Sequence, residues 1–143
     1  MSAVAIDLDA VLGDTRPLLA AWLEDLGRKL RVELGAEEAA WTESVGNWQP
    51  LLERFAEDHA AVYLRPRAEA NAALRRLAAA GAHVGAFTEA PAPLARVAAA
   101  QLGAERHLEA LEAGPGALER LLARLGEGAV VVRSLRELVG VAA

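Results

Sequence analysis

The sequence predicts an α/β fold in which helices cover both faces of a short parallel sheet. The chain has 143 residues, of which 54% are hydrophobic and 24% charged, a length and composition that suit one globular domain. Short apolar runs alternate with longer segments whose apolar residues recur at helical spacing. This alternation is typical of parallel strands joined by right-handed crossover helices, and such sheets bind ligands at the carboxyl ends of their strands.

The first strand is expected at residues 3–6, a short apolar run that leads directly into Asp7. Asp14 or Thr15 then offers an N-cap for a long amphipathic helix that has Pro17 in its first turn. The apolar positions of this helix recur every three or four residues, at Leu18, Leu19, Trp22, Leu23, Leu26 and Leu30.

Residues 35–64 are expected to form two short helices, because Gly46 and Pro50 interrupt an otherwise helical pattern. Together with Trp22, this segment carries five of the six aromatic residues of the chain, the others in it being Trp41, Trp48, Phe55 and Tyr63. Aromatic residues at helical spacing favour a packed helical subdomain over the alternative, a substrate pocket.

The second half of the chain continues the alternation of helices and strands. Pro66 opens a helix that Gly81 stops, and an apolar strand from 82 to 87 ends at Thr88. The elements expected after it are a helix that begins at Pro91 and Pro93, a weak strand at 107–111, a helix at 115–125 and a strand at 129–132.

Composition and charge exclude several classes of partner. The formal net charge is -5, which argues against nucleic acid, since phosphate backbones are held mainly by clustered Lys and Arg. The chain has no cysteine, no basic leader before its first apolar run, and no apolar stretch of the roughly 20 residues that a bilayer span needs. We therefore expect a cytoplasmic protein that does not insert into a membrane.

Two aspartates, Asp7 and Asp9, follow the first strand, and both carboxylates can face one small ligand only if the backbone turns there. Around them the sequence is Ala5-Ile6-Asp7-Leu8-Asp9-Ala10-Val11-Leu12-Gly13-Asp14-Thr15. The apolar strand, Asp-x-Asp, a small residue, Val-Leu and a further Asp resemble the nucleophile motif of the haloacid dehalogenase (HAD) superfamily. The resemblance implies a three-layer, Rossmann-like domain over residues 1–143, in which residues 15–64 are a small α-helical cap insertion.

The resemblance also assigns roles to both aspartates. Asp7 is expected to attack a phosphoryl group and form an aspartyl phosphate, while Asp9 protonates the leaving oxygen and later activates water. In an active enzyme both would contribute to a magnesium site. The residues alone leave an alternative, in which Asp7 merely caps the segment after the strand.

Thr88 matches the Ser or Thr of the family that holds the phosphoryl oxygens, although Glu89 brings a negative charge next to it. The family's lysine, commonly found before a Pro, is replaced in Gly114-Pro115. The only lysine of the chain, Lys29, lies in the first helix. An arginine such as Arg96 or Arg106 would have to reach in from another loop, because the charge of phosphoryl transfer must be offset.

Arg133 stands where the family has a magnesium-binding aspartate, and Glu137 matches the second acidic position. Magnesium prefers oxygen ligands and is repelled by a guanidinium. We expect either that Arg133 neutralises Asp7 or Asp9 in place of the ion, or that it is a solvated residue paired with Glu137 one helical turn later.

These observations favour a HAD-like phosphohydrolase-type protein with impaired or lost phosphatase activity. One alternative is an active magnesium-dependent phosphatase on a small organic phosphate, and a second is a non-catalytic binding or interaction module without a cofactor. An unrelated doubly wound domain of response-regulator type is disfavoured by the position of Lys29. The expected partner is a small phosphorylated molecule or a protein, and a homodimer through the last strand or the apolar segment 138–143 is a further expectation.

Overall fold

The computed structural model describes residues 2–143, and Met1 lies outside the described range. It confirms the α/β fold: the four strands are β1 Ala3–Asp7, β2 His83–Thr88, β3 Ala110–Ala113 and β4 Val130–Val132. All pair in parallel, in the order β3-β2-β1-β4. The helices are α1 Leu8–Val11, α2 Arg16–Leu30, α3 Glu38–Val45, α4 Gln49–Tyr63, α5 Ala68–Ala79, α6 Ala92–Gln101, α7 Ala117–Leu125 and α8 Leu135–Ala142.

The central strand β1 determines where the functional side chains meet. Ile6 is in register with Ala86 of β2 and with Val132 of β4, and Asp7 is in register with Phe87. The residues that follow these positions, Thr88 and Arg133, therefore reach the same edge of the sheet as Asp7.

The two faces of the sheet carry separate hydrophobic clusters, which makes the domain three-layered as predicted. Val4 and Ile6 belong to the larger cluster, which includes buried residues of α2 to α6 and of α8. Ala5 and Phe87 point to the opposite face and pack with Leu121 of α7. This division follows from the alternation of side chains along a strand.

Residues 15–64 contain the three helices α2 to α4, and the second helix of the 35–64 segment is longer than predicted. Helix α4 has 15 residues, because Pro50 lies in its first turn, where a missing N–H removes no helical hydrogen bond. The side chains of Trp22, Trp41 and Trp48 are buried and pack with one another. Their ring centroids lie 5.0 to 6.2 Å apart, and two of the pairs are edge-to-face, as expected for packing in a core.

Other boundaries differ from the prediction for local reasons. Residues 105–107 form a 3-10 turn, and the third strand begins only at Ala110. Helix α7 begins at Ala117 rather than Pro115, because Gly114 and Gly116 have φ values of 82° and 76°, in the left-handed region that a right-handed helix cannot include. No helix in residues 2–143 is long and apolar enough to cross a membrane.

Gly85 of β2 allows the close approach of α7. A β-carbon at this position would lie 2.6 Å from Leu121 Cδ1 and 3.3 Å from the carbonyl oxygen of Ala110. We expect Gly85→Ala to destabilise the protein by about 1–3 kcal/mol in urea denaturation, because Leu121 is fully buried and cannot move freely. Gly140→Ala in α8, where a β-carbon meets open space, should be neutral or stabilising, and equal effects of the two would contradict this packing.

His107 links folding stability to pH. Its Nε2 atom is buried and lacks a hydrogen-bond partner, and burial, with the charges of Arg106 and Arg75, lowers the pKa of His107. The unfolded chain therefore binds a proton more readily than the folded protein, and stability should fall as pH drops below about 6.5, the ordinary value for histidine. His107→Gln should weaken this dependence in denaturation curves between neutral and acidic pH, and an unchanged profile would contradict the assignment.

Candidate active site

Asp7 stands at the turn from β1 into α1 and has two partners. It is the N-cap residue of α1, and its Oδ1 accepts a hydrogen bond from the amide of Ala10 at 3.4 Å. Its Oδ2 lies 3.4 Å from Nη1 of Arg133. The Asp7 carboxylate therefore both caps α1 and lies at the candidate site.

Asp9 is held by two threonines. Its Oδ1 accepts hydrogen bonds from the Thr15 amide at 2.8 Å and from the Thr15 hydroxyl at 2.6 Å. Its Oδ2 accepts a hydrogen bond from the Thr88 hydroxyl at 2.6 Å. Both carboxylate oxygens therefore bind donors of the protein itself.

Thr88 is brought to the aspartates, but its hydroxyl is engaged within the protein. The residue is 2% exposed, and Oγ1 donates to Asp9 while it accepts a hydrogen bond from the Ala90 amide at 3.1 Å. In this geometry the hydroxyl orients Asp9, and contact with a phosphoryl oxygen would require it to rotate away. The sequence placed Thr88 at the site but could not indicate the direction of its hydroxyl.

Arg133 follows β4 and points towards Asp7. Its guanidinium carbon also lies 5.5 Å from the centroid of the Phe87 ring, a cation–π arrangement. Glu137, the alternative partner, instead takes part in the N-terminal capping of α8, where its amide donates to Ser134 Oγ and its carboxylate accepts from that hydroxyl. The pair with Asp7 is longer than a strong charge-assisted hydrogen bond, and the Arg133 side chain is 56% exposed.

A cavity of about 520 Å³ opens above the aspartates. Its polar and charged lining residues are Asp7, Asp9, Thr15, Arg16, Thr88, Glu89 and Arg133. Arg16 was not among the residues predicted from the sequence. It directly follows Asp14-Thr15 at the end of the motif, and this position could have indicated that it lies near the site. It forms a two-pronged ion pair with Asp14, at 2.8 and 2.9 Å.

The arginines that the sequence analysis considered are not at this cavity. Arg96 lines a separate cavity between α6 and β3, and Arg106 lies in the 3-10 turn beside His107. Lys29 pairs with Asp25 at 2.9 Å, and the rise of a helix places it about 20 Å along α2 from Arg16.

The loop from Ala113 to Gly116 contains Gly114-Pro115, where the resemblance implies the family's lysine. Arg120 holds this loop through hydrogen bonds to the carbonyl oxygens of Ala113 and Pro115. Hydrogen bonds from Arg124, and then from Arg120, lower the pKa of Glu112 at the end of β3. Arg120 and Arg124 therefore stabilise this loop and the end of β3.

Gly114 lies near an acidic side chain. A β-carbon at this position would lie 3.7 Å from Oε2 of Glu38. A carboxylate therefore lies near the glycine at the position where the resemblance implies a lysine.

The carboxylates of this cavity leave few oxygen atoms free to bind a magnesium ion. Magnesium requires several oxygen ligands in near-octahedral geometry. Asp7 is paired with a guanidinium, and both carboxylate oxygens of Asp9 accept hydrogen bonds from threonines. In the part of the chain that the structure describes, no three His, Asp or Glu side chains are grouped so that they could hold a metal.

Comparison with solved structures shows which fold this is. A protein assigned as a beta-phosphoglucomutase from Thermotoga maritima is 21% identical, with a TM-score of 0.58 over 99% of this chain and 82% of its own. CbbY from Rhodobacter sphaeroides, solved with phosphate, is 14% identical, with a TM-score of 0.67 over 92% of this chain and 76% of its own. A CbbY mutant solved with xylulose-(1,5)bisphosphate matches over the same shares at a TM-score of 0.63 and 14% identity.

The chain has a HAD-like fold, which confirms at the level of the fold the resemblance seen in its sequence. No protein-family model matches the chain, and no curated protein matches it in sequence.

The hydrogen bond from Thr88 to Asp9 should contribute measurably to the free energy of unfolding. Thr88→Val removes the donor to Asp9 and the acceptor of the Ala90 amide, so we expect a loss of about 1–3 kcal/mol in urea denaturation. Thr88→Ser keeps the hydroxyl and serves as the control, with a smaller expected loss. If the Val variant were at least as stable as the Ser variant, the bridge would not be important for stability.

Proposed function

We propose that this chain is a HAD-like, phosphohydrolase-type protein that binds a small phosphorylated molecule in the Asp7–Asp9 cavity and has impaired phosphatase activity. One observation carries the proposal: the guanidinium of Arg133 lies 3.4 Å from Asp7, where relatives with a complete motif are expected to have a metal-binding carboxylate. Arg133 thereby serves as a counter-ion for Asp7.

The pairing of Asp7 limits its chemistry. To form an aspartyl phosphate, a carboxylate oxygen of Asp7 must approach phosphorus in line with the leaving oxygen. Its Oδ2 faces Arg133 and its Oδ1 caps α1, so attack requires that one of these contacts be broken. The guanidinium also stabilises the negative charge of the Asp7 carboxylate, which lowers its nucleophilicity.

The environment of Asp9 limits proton transfer. Protonation of the leaving oxygen requires a protonated Asp9 with one oxygen directed at the ligand. Three hydrogen bonds from Thr15 and Thr88 are directed into this carboxylate instead. A ligand would have to compete with buried hydroxyl groups for the same oxygens, which supports slow turnover.

A phosphorylated small molecule is the ligand class that the site supports. The volume of about 520 Å³ lies in the range of small-molecule sites, and Arg16 and Arg133 supply positive charge beside Thr88. The solved CbbY structures contain phosphate and a sugar bisphosphate, which favours the same class for a chain with this fold.

An active magnesium-dependent phosphatase remains the second candidate, because Asp7, Asp9 and Thr88 line one cavity at the carboxyl ends of β1 and β2. A non-catalytic binding module is the third. The two differ from the main proposal in the turnover that they predict, and the following experiment separates them.

Arg133→Asp should introduce the missing carboxylate and remove the counter-ion. We expect magnesium-dependent hydrolysis of an aryl phosphate to rise by about tenfold or more over the wild type, roughly 1.4 kcal/mol of activation free energy. Calorimetric titration should also detect magnesium binding to the variant. Arg136→Asp, the same charge change at an exposed position three residues away, is the matched control and should change neither property.

Asp7→Asn separates the candidates. If the wild type already hydrolyses the aryl phosphate with magnesium and Asp7→Asn abolishes the reaction, the protein is an active phosphatase and our main proposal is wrong. If Arg133→Asp gains neither magnesium binding nor turnover while it remains folded, Arg133 does not replace the ion and the non-catalytic candidate is favoured.

A further inference from the structure

Arg16 is a second guanidinium at the cavity, and its geometry differs from that of Arg133. It lies in the first turn of α2, and its Nε and Nη2 atoms bind the two carboxylate oxygens of Asp14. This two-pronged arrangement is the one with which a guanidinium also binds a phosphoryl group. The side chain is 80% exposed, so the guanidinium is not fixed by packing.

The charges around Arg16 come from more than its immediate partner. Asp14 raises the pKa of Arg16 most, by a hydrogen bond, and the charges of Asp9 and Asp7 contribute at longer range. In the opposite direction, the Arg16 hydrogen bond lowers the pKa of Asp14. Arg16 is therefore a cation at the cavity of Asp7 and Asp9, and its direct partner is the partly exposed carboxylate of Asp14.

We infer that Arg16 receives the anionic group of the ligand by exchanging the Asp14 carboxylate for a phosphoryl group. The inference rests on the proposed function, in which this cavity binds a small organic phosphate. Asp14 then acts as an internal competitor that occupies the guanidinium while the cavity is free of ligand, and Arg16 determines the specificity of the site for oxyanions.

Arg16 is better suited to this exchange than Arg133. The Arg133 guanidinium contacts both Asp7 and the Phe87 ring, and its release would leave Asp7 without a counter-ion. Release of Arg16 leaves Asp14 at a side-chain exposure of 36%, where water can solvate the carboxylate. Exposed ion pairs contribute little to stability, so an incoming phosphoryl group can displace such a carboxylate at low cost.

The exchange has a consequence for Asp14 that a purely structural role would not have. Asp14→Asn removes the competing charge, while the amide oxygen can still accept the hydrogen bond that the Arg16 amide donates to Asp14 Oδ1 at 3.0 Å. Phosphate binding should therefore become tighter in Asp14→Asn and weaker in Arg16→Gln. Loss of a merely structural ion pair would affect the two variants alike.

The test is calorimetric titration of the full chain with inorganic phosphate and with phenyl phosphate, in the presence of a chelator. We expect Arg16→Gln to weaken phosphate binding by roughly tenfold, the order expected for a charge-assisted two-pronged pair, and Arg16→Lys to lie between it and the wild type. Asp14→Asn should strengthen binding by about threefold. Arg28→Gln is the matched control, since Arg28 is an exposed arginine of the same helix that pairs with Glu24.

The outcomes separate the inference from the proposed function. If the wild type binds phosphate but Arg16→Gln binds it equally well, or if Asp14→Asn weakens binding, the inference is overturned while phosphate binding by the cavity stands. If the wild type shows no saturable binding of either probe, the proposed ligand class fails, and the inference fails with it.

Discussion

The carboxylate of Asp9 joins three parts of the fold that meet at the candidate site. Its oxygens bind Thr15 at the start of α2 and Thr88 at the end of β2, while Asp9 itself lies in α1 directly after β1. Both threonines are almost completely buried, so water cannot satisfy their hydroxyl groups. An unpaired buried hydroxyl costs about 1–3 kcal/mol, and Asp9 prevents this cost twice. The bridge therefore connects the start of α2 to the ends of β1 and β2 beside the cavity.

Two further carboxylates at or beside the site, Asp7 and Asp14, each have a guanidinium partner. Arg133 lies against Asp7 and over the Phe87 ring, and Arg16 binds Asp14. These two guanidinium groups reduce the repulsion that neighbouring carboxylates would otherwise cause at the end of a parallel sheet. Arg133 is thus engaged by Asp7, and an anionic ligand that bound Arg16 would have to replace Asp14.

Much of the fold could be predicted from the sequence, because strands and helices are encoded by local apolar periodicity. Strands β1 and β2 lie where their apolar runs predicted them, and neighbouring parallel strands bring Asp7 and Thr88 to one edge. The length of α4 was not predictable from Pro50 alone, since a proline can either break a helix or stand in its first turn. The directions of side chains could not be predicted either. No local sequence pattern indicates that Thr88 donates to Asp9, or that Arg16 lies at the cavity.

The structural bonds of the two aspartates change what their motif can indicate. Asp7 caps α1 and Asp9 bridges two buried threonines, so both carboxylates stabilise the fold whether or not a phosphoryl group is ever transferred. Their presence therefore indicates the fold more strongly than it indicates the reaction. Gly114 and Arg133 bear more directly on the proposed function, because the resemblance implies a lysine and a metal-binding aspartate at these positions. The chain has a glycine near Glu38 at the first and a guanidinium facing Asp7 at the second, and our proposal of impaired turnover rests on the second arrangement.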